Sequence, residues 1–108
     1  MTNSNRELIC CVINNGYSDL VMEAAKKKGA QGGTIFHGRG TGSSDAEKFF
    51  GIKVSPDKEI VLIVVESEIK DDVVSSIYEE AGLDTKGQGI IFTLPVDDFV
   101  TGKKAWNK

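Results

Sequence analysis

Three short segments of the chain are apolar at nearly every position, and this feature constrains the fold most. They span residues 8–13, 60–65 and 90–96, and the second reads Ile-Val-Leu-Ile-Val-Val without a break. Runs of this length that are rich in Ile and Val are typical of strands buried on both faces. A strand with one wet face would alternate apolar and polar residues instead. Both sides of the sheet therefore have to be covered.

The segments between these strands predict two helices and a fourth strand. One helix begins at Ser18, a predicted N-cap, and stops at Gly29, while the other begins at Ser67 and stops at Gly82. Residues 33–37 form the remaining strand. The order β-α-β-β-α-β predicts an α+β, ferredoxin-like fold, with both helices on one face of a four-stranded antiparallel sheet. Because two helices cover one face only, we expect self-association to bury the other.

Length and charge limit the classes of function. The 108 residues predict a single domain, residues 1–108. A formal charge of −3 argues against nucleic acid as a partner. The first seven residues lack the apolar run of a signal peptide, and no segment has the length of a membrane span. Adjacent Cys10 and Cys11 would point to opposite faces of a strand, so no disulfide is expected and a cytoplasmic location is predicted.

A long connection follows the predicted second strand, over residues 38–58. It opens with HGRGTGSS at residues 37–44, and Ser44 with Glu47 has the spacing of a capping box for a short helix. Closely spaced glycines let backbone amides surround a phosphate, and Arg39 could add a charged contact. The same glycines would equally suit an ordinary mobile loop. The sequence thus leaves a phosphate site and a simple turn-rich loop both open.

No catalytic or metal-binding set is recognisable. His37 is the single histidine, and no serine or cysteine forms a nucleophile motif with it. A metal site formed by Cys10 or Cys11 with His37 would lack the usual ligand spacing. We therefore expect a protein that is not an enzyme.

Taken together, the elements and motifs resemble the PII signalling family over about residues 7–102. The resemblance rests on the element order, on Gly38-Arg39-Gly40 at the base of the long loop, and on the third strand. It also rests on GQGIIFTLPV at residues 87–96 and on Thr101-Gly102. It implies a homotrimer with a nucleotide in each cleft between subunits, and a flexible loop over about residues 38–58 that contacts a membrane transporter or a metabolic enzyme.

The resemblance also implies roles for individual residues. Gly87, Gln88 and Gly89 would surround phosphate and Val64 would flank the base. Thr34 and Thr101 would approach the base from a neighbouring chain. The residues implied for nucleotide binding are Thr34, Gly38, Arg39, Gly40, Val64, Gly87, Gln88, Gly89 and Thr101. Those implied for contact with the target are Thr41, Gly42, Ser43, Ser44, Phe49 and Phe50.

Three departures concern positive charge. Ile90 stands where the family has a phosphate-binding lysine, and Asp98 and Val100 align with two of its arginines. We therefore expect no required cofactor and a weakly charged adenine nucleotide as ligand, with ADP, AMP or a cyclic form favoured over ATP. The loop contains no tyrosine for uridylylation. The alternative is a structural or metal-responsive trimer of the CutA-like kind that binds no nucleotide.

Overall fold

The computed structural model describes residues 3–41, 56–83 and 89–102. Its elements are β1 (Asn3–Asn14), α1 (Ser18–Lys27), β2 (Thr34–Arg39), β3 (Asp57–Glu66), α2 (Ser67–Glu80) and β4 (Gly89–Asp98). The strands form one antiparallel sheet in the order β2-β3-β1-β4. The predicted ferredoxin-like α+β fold is confirmed. No helix in the described ranges is both long and apolar enough to cross a membrane.

The strands are longer than the apolar segments that predicted them. β1 reaches back to Asn3 through polar residues, because Arg6 still has cross-strand partners, Glu66 on β3 and Val96 on β4. β2 continues to Arg39, so the connection to β3 narrows from the predicted residues 38–58 to residues 40–56. The backbone N–H of Gly40 donates to the carbonyl of Pro56 at 2.7 Å and closes the base of this connection.

One face of the sheet and both helices enclose the core. Alternate strand residues point towards the helices and are fully buried there, as are the facing residues of α1 and α2. Removal of these side chains from water supplies most of the driving force for folding. The fully buried side chains of this core include Ile9, Cys11, Ile13, Val21, Val61, Ile63, Val73 and Ile77.

The helix ends match the prediction, but the helix starts do not. Gly29 follows α1 with a φ of 108° and Gly82 follows α2 with a φ of 63°, conformations that favour glycine at a helix end. The predicted N-caps Ser18 and Ser67 are wrong, because each is the first residue of its helix. The N-cap positions belong to Tyr17 and Glu66, and neither makes a side-chain capping hydrogen bond.

The other face of the sheet is apolar, and neither helix of the described residues covers it. Cross-strand register places ten apolar residues from all four strands on this side, which we call the open face. Five of them are between 38 and 59% exposed, although they are large apolar residues. The members of the open face are Leu8, Cys10, Val12, Phe36, Ile60, Leu62, Val64, Ile90, Phe92 and Leu94. Contiguous apolar patches of this kind mark interaction surfaces.

Candidate functional site

Several of the predicted site residues lie together at one end of the sheet, which we call the loop end. Gly38 is the cross-strand partner of Lys58, and Lys58 is in turn the partner of Asn14 on β1. Arg39 is exposed beside them. On the far side of β1, Gly89 pairs with Ile13. The glycine-containing end of β2 and the first residue of β4 therefore lie at the same end of the sheet, on its two outer strands.

Lys58 adds a cation to the loop end that sequence analysis missed. Its ammonium donates to Oδ1 of Asn14 at 2.7 Å. Its alkyl chain lies against Gly40, where an added Cβ would be 3.0 Å from Cε of Lys58. The only signal in the sequence was a lysine just before an apolar strand, and its position opposite Gly38 depends on register. A charged group of this kind can bind phosphate or carboxylate oxygens.

Gly89 is required by packing at its position. A Cβ there would collide with the carbonyl oxygen of Val12 and lie 3.1 Å from Cα of Ile13, and this backbone cannot move aside cheaply. The glycine is therefore explained without any ligand, although its amide remains at the loop end. Gly87 and Gln88 lie outside the described residues. Ile90, where the resemblance implies a lysine, is 59% exposed and lines a cavity of about 480 Å³ beside α2.

The remaining predicted site residues lie at the opposite end of the sheet. The ladder between β2 and β3 ends at the pair Thr34 and Leu62. Val64 thus lies at an open strand edge in the described sheet, where backbone groups can bind a ligand. Val64 and Thr101 line a cavity of about 640 Å³, which we call the edge cavity. Its lining residues are Arg6, Gly29, Ala30, Gln31, Val64, Val65, Glu66, Ile69, Phe99 and Thr101.

The two ends are too far apart to form one small site within a chain. Lys58 and Val64 are six positions apart along β3, a distance of about 20 Å at the usual rise of a strand. Gly38, Arg39, Gly40 and Gly89 are therefore brought together as one half of the predicted set. Thr34, Val64 and Thr101 form the other half. A mononucleotide could contact both halves only if they came from two chains.

A buried carboxylate lies next to the loop end on the helix side of the sheet. Oε1 of Glu59 accepts the backbone N–H groups of Gly16 and Ser18 at 3.0 and 3.1 Å, and Nδ1 of His37 is 3.9 Å from Oε2. Burial acts to raise the pKa of Glu59, but these hydrogen bonds, the Ser18 side chain and the imidazole outweigh it. The net effect is a pKa below the ordinary value of a glutamate.

The thiols are buried on opposite faces of β1, as their adjacency predicted. Both are free cysteines. Burial raises the pKa of Cys10, while burial and the neighbouring Cys10 raise the pKa of Cys11 to about 12. Within the described ranges, no group of three or more His, Cys, Asp or Glu side chains could hold a metal ion.

Most of the predicted target-contacting loop cannot be described. Thr41 is exposed just after β2. The predicted capping-box helix and five of the six loop residues lie outside the described residues, namely Gly42, Ser43, Ser44, Phe49 and Phe50.

Comparison with known proteins gives one consistent result. The family model described as nitrogen regulatory protein P-II matches residues 6–105. Over 96 residues the chain is 30% identical to the nitrogen fixation nifHD1 region GlnB-like protein 1 of Methanosarcina barkeri. That match covers 88% of this chain and 91% of the relative.

The chain also resembles solved structures of PII and PII-like proteins. The chain superposes on Arabidopsis thaliana PII bound to citrate with a TM-score of 0.69 and 25% identity, covering 93% of this chain and 82% of that one. A PII-like signalling protein of Thermus thermophilus gives a TM-score of 0.67 at 21% identity, over 89% of this chain and 90% of that one. The second match shows the fold alone.

Proposed function

The chain belongs to the nitrogen regulatory protein P-II family, and from this premise we propose that it is a homotrimeric sensor of an adenine nucleotide. Each ligand would bind in a cleft between two subunits. The loop end of one chain and the edge cavity of its neighbour would form the two walls of that cleft. The protein would act on a target by binding, with no reaction of its own.

The observation that carries this proposal is the separation of the predicted site residues into two sets. Gly38, Arg39 and Gly89 lie about 20 Å along the sheet from Val64. The first set offers backbone amides and two cations, Arg39 and Lys58. The second offers an open strand edge and apolar walls. The apolar walls of the second set favour a base, and the amides and cations of the first set favour phosphates. Because the two sets lie far apart within one chain, a single nucleotide would contact both only between two chains.

Self-association has independent support from the open face. An apolar sheet surface exposed to water is costly, at about 25 cal/mol for each Å² left uncovered. A second and third copy of the same chain would cover this surface on every subunit by closed symmetry. The trimer itself is proposed from family membership, because an apolar face does not determine subunit number.

The target and the cellular setting are further parts of the proposal. Residues 40–56, which connect β2 to β3 at the loop end, would contact a membrane transporter or a metabolic enzyme. A nucleotide at the base of this segment would change its affinity for the target. Free, buried thiols suit a reducing compartment, and we propose the cytoplasm. Nitrogen metabolism is a natural setting, given that the M. barkeri relative is described as a nitrogen fixation region protein.

Calorimetry with ADP, AMP, ATP, cyclic AMP and adenosine tests the nucleotide proposal. We expect saturable binding of at least one nucleotide with one site per subunit, and weaker binding in the variant Lys58→Gln. The control variant Lys27→Gln makes the same change of charge at the exposed end of α1 and should bind as the wild type does. Absence of binding to all five compounds at millimolar concentration would overturn the proposal. Citrate belongs in the same titration, because the Arabidopsis protein is described as bound to it.

A further inference from the structure

Arg6 and Phe99 form a cation–π pair that lines the edge cavity. The guanidinium carbon of Arg6 is 4.3 Å from the centroid of the Phe99 ring. Arg6 lies near the start of β1, and Phe99 follows the last residue of β4. Two distant parts of the chain therefore meet beside Val64 and Thr101, residues implied for nucleotide binding.

The contact with the ring leaves hydrogen-bonding capacity on Arg6. A guanidinium carries five N–H donors, and a cation–π contact on one side of the group still leaves donors for a ligand. The contact also reduces the number of conformations that the long side chain has to lose when it binds an anion. Arg6 is therefore a preorganised donor for the oxygens of a phosphate group.

Only two charged residues are among the described residues that line the edge cavity, Arg6 and Glu66. Among the described lining residues, Arg6 is the only cation and Glu66 the only carboxylate. The two are cross-strand partners on β1 and β3. An anionic ligand at Arg6 would thus compete with Glu66, because opposite charges in such positions attract each other.

The other walls suit a flat ring system. Val64 and Ile69 offer apolar surface, and Gln31 offers a side-chain amide. In the described sheet, β3 has no partner on its β2 side beyond Leu62, so its backbone there offers donors and acceptors. Heterocyclic bases are recognised by this combination of apolar contact and hydrogen bonds to their edges. A cavity of about 640 Å³ is large enough for a nucleoside with an attached phosphate.

We propose that Arg6, positioned by Phe99, binds the phosphate nearest the ribose of a nucleotide held in the edge cavity, and that Glu66 opposes it. The inference rests on the proposed nucleotide site and adds three residues to it. It also supplies a cation next to Asp98 and Val100, where charge was expected to be low.

Calorimetry with AMP and with uncharged adenosine tests the role of Arg6. Arg6→Gln should weaken AMP binding by roughly tenfold or more, the loss that corresponds to one charge-assisted hydrogen bond. Adenosine binding should change by less than about twofold, since it makes no such bond. Glu66→Gln should tighten AMP binding by removing the competing carboxylate. The matched control Lys27→Gln should alter neither ligand.

A second variant separates preorganisation from charge. Phe99→Leu keeps an apolar side chain but removes the ring, so AMP binding should weaken although Arg6 is still present. Thermal unfolding of each variant establishes that the trimer is intact. If the wild type binds AMP and Arg6→Gln binds it equally well, this inference is overturned and the nucleotide site survives. Equal weakening of AMP and adenosine also overturns it. If the wild type binds neither AMP nor any other adenine nucleotide, both proposals fail together.

Discussion

The carboxylate of Glu59 accepts the backbone N–H of Ser18, the first residue of α1, at 3.1 Å. The same oxygen accepts the N–H of Gly16 at 3.0 Å. The N-cap residue Tyr17 makes no side-chain capping hydrogen bond, so a residue of β3 supplies the acceptor at the start of α1, where the helix dipole also favours negative charge. This contact fixes the helix to the sheet beside the loop end.

Replacement of Glu59 should therefore cost stability. We expect Glu59→Ala to lower the free energy of unfolding by about 2–3 kcal/mol, because two backbone donors lose a charged acceptor. Glu59→Gln retains an acceptor oxygen and should cost less. Urea unfolding at one fixed protein concentration measures both values. A loss below about 0.5 kcal/mol in Glu59→Ala, the range of an ordinary surface substitution, would contradict this role.

The pH dependence of the same variants gives a second readout. The pKa of Glu59 is lower in the folded chain than the unfolded value of 4.5. Its contribution is therefore complete above the unfolded pKa and is lost as pH falls through the folded pKa. Between neutral pH and about pH 3, the wild type should lose more stability than Glu59→Gln, which cannot titrate there. Parallel curves for the two proteins would show that this carboxylate contributes nothing to acid sensitivity.

Gly89 should tolerate no side chain, whether or not a ligand is bound. Gly89→Ala forces a Cβ against the backbone of β1, and we expect a loss of at least about 2 kcal/mol or failure to fold. Gly32→Ala is the matched control, because no heavy atom lies within 4 Å of the position of its Cβ. Thermal unfolding measures the stability of both variants relative to the wild type. A stable Gly89→Ala protein would mean that this glycine is not there for packing.

The open face should control assembly. Phe92 and Leu20 are similarly exposed, at 45 and 40%, but Phe92 lies on the open face and Leu20 on α1. A buried, unpaired carboxylate at an interface is strongly unfavourable, so Phe92→Glu should dissociate the trimer and Leu20→Glu should leave it intact. Sedimentation equilibrium measures the masses. A wild type that sediments as a single chain would refute the trimer, and a trimeric Phe92→Glu would refute the interface.

The reactivity of the two cysteine thiols should change when the trimer dissociates. A group with a pKa of about 12, as for Cys11, is ionised in only about one molecule in ten thousand at pH 8. We expect neither thiol of the native wild type to react with a disulfide reagent. Cys10 is already buried within one chain, where Phe92 is its cross-strand partner on the open face. Phe92→Glu removes this ring as well as the covering subunits, so one thiol per chain should become more reactive. Rapid reaction of both thiols in the native wild type would contradict the described burial.

Much of the fold was predictable because local patterns and sheet geometry agreed. Unbroken apolar segments predicted strands covered on both faces, and glycines marked both helix ends. The start of β1 was missed because Arg6 and Glu7 are polar, and only their partners on β3 and β4 make this segment a strand. The cap of α1 was missed for the same reason, since Glu59 lies 41 residues away from Ser18.

The candidate site was predictable in part. The closely spaced glycines at the loop end could be recognised from the local sequence. Lys58 could be identified only from the strand register, and Arg6 only from its contact with Phe99. The structure also separates Val64 from Gly38, which no sequence spacing could reveal. Because the two halves lie at opposite ends of one sheet, we propose a site shared between two chains.

Mixed trimers distinguish a site shared between two chains from a site within one chain. Arg39→Glu introduces a repelling charge at the loop end, and Thr101→Glu does the same in the edge cavity, so each homotrimer should bind nucleotide poorly. If every site joins the loop end of one chain to the edge cavity of the next, random mixing leaves about one quarter of the sites with both walls intact. Calorimetry of the refolded mixture should then recover about that fraction of wild-type sites. A mixture that binds no better than the two separate variants would show that each site lies within one chain, and would contradict the account.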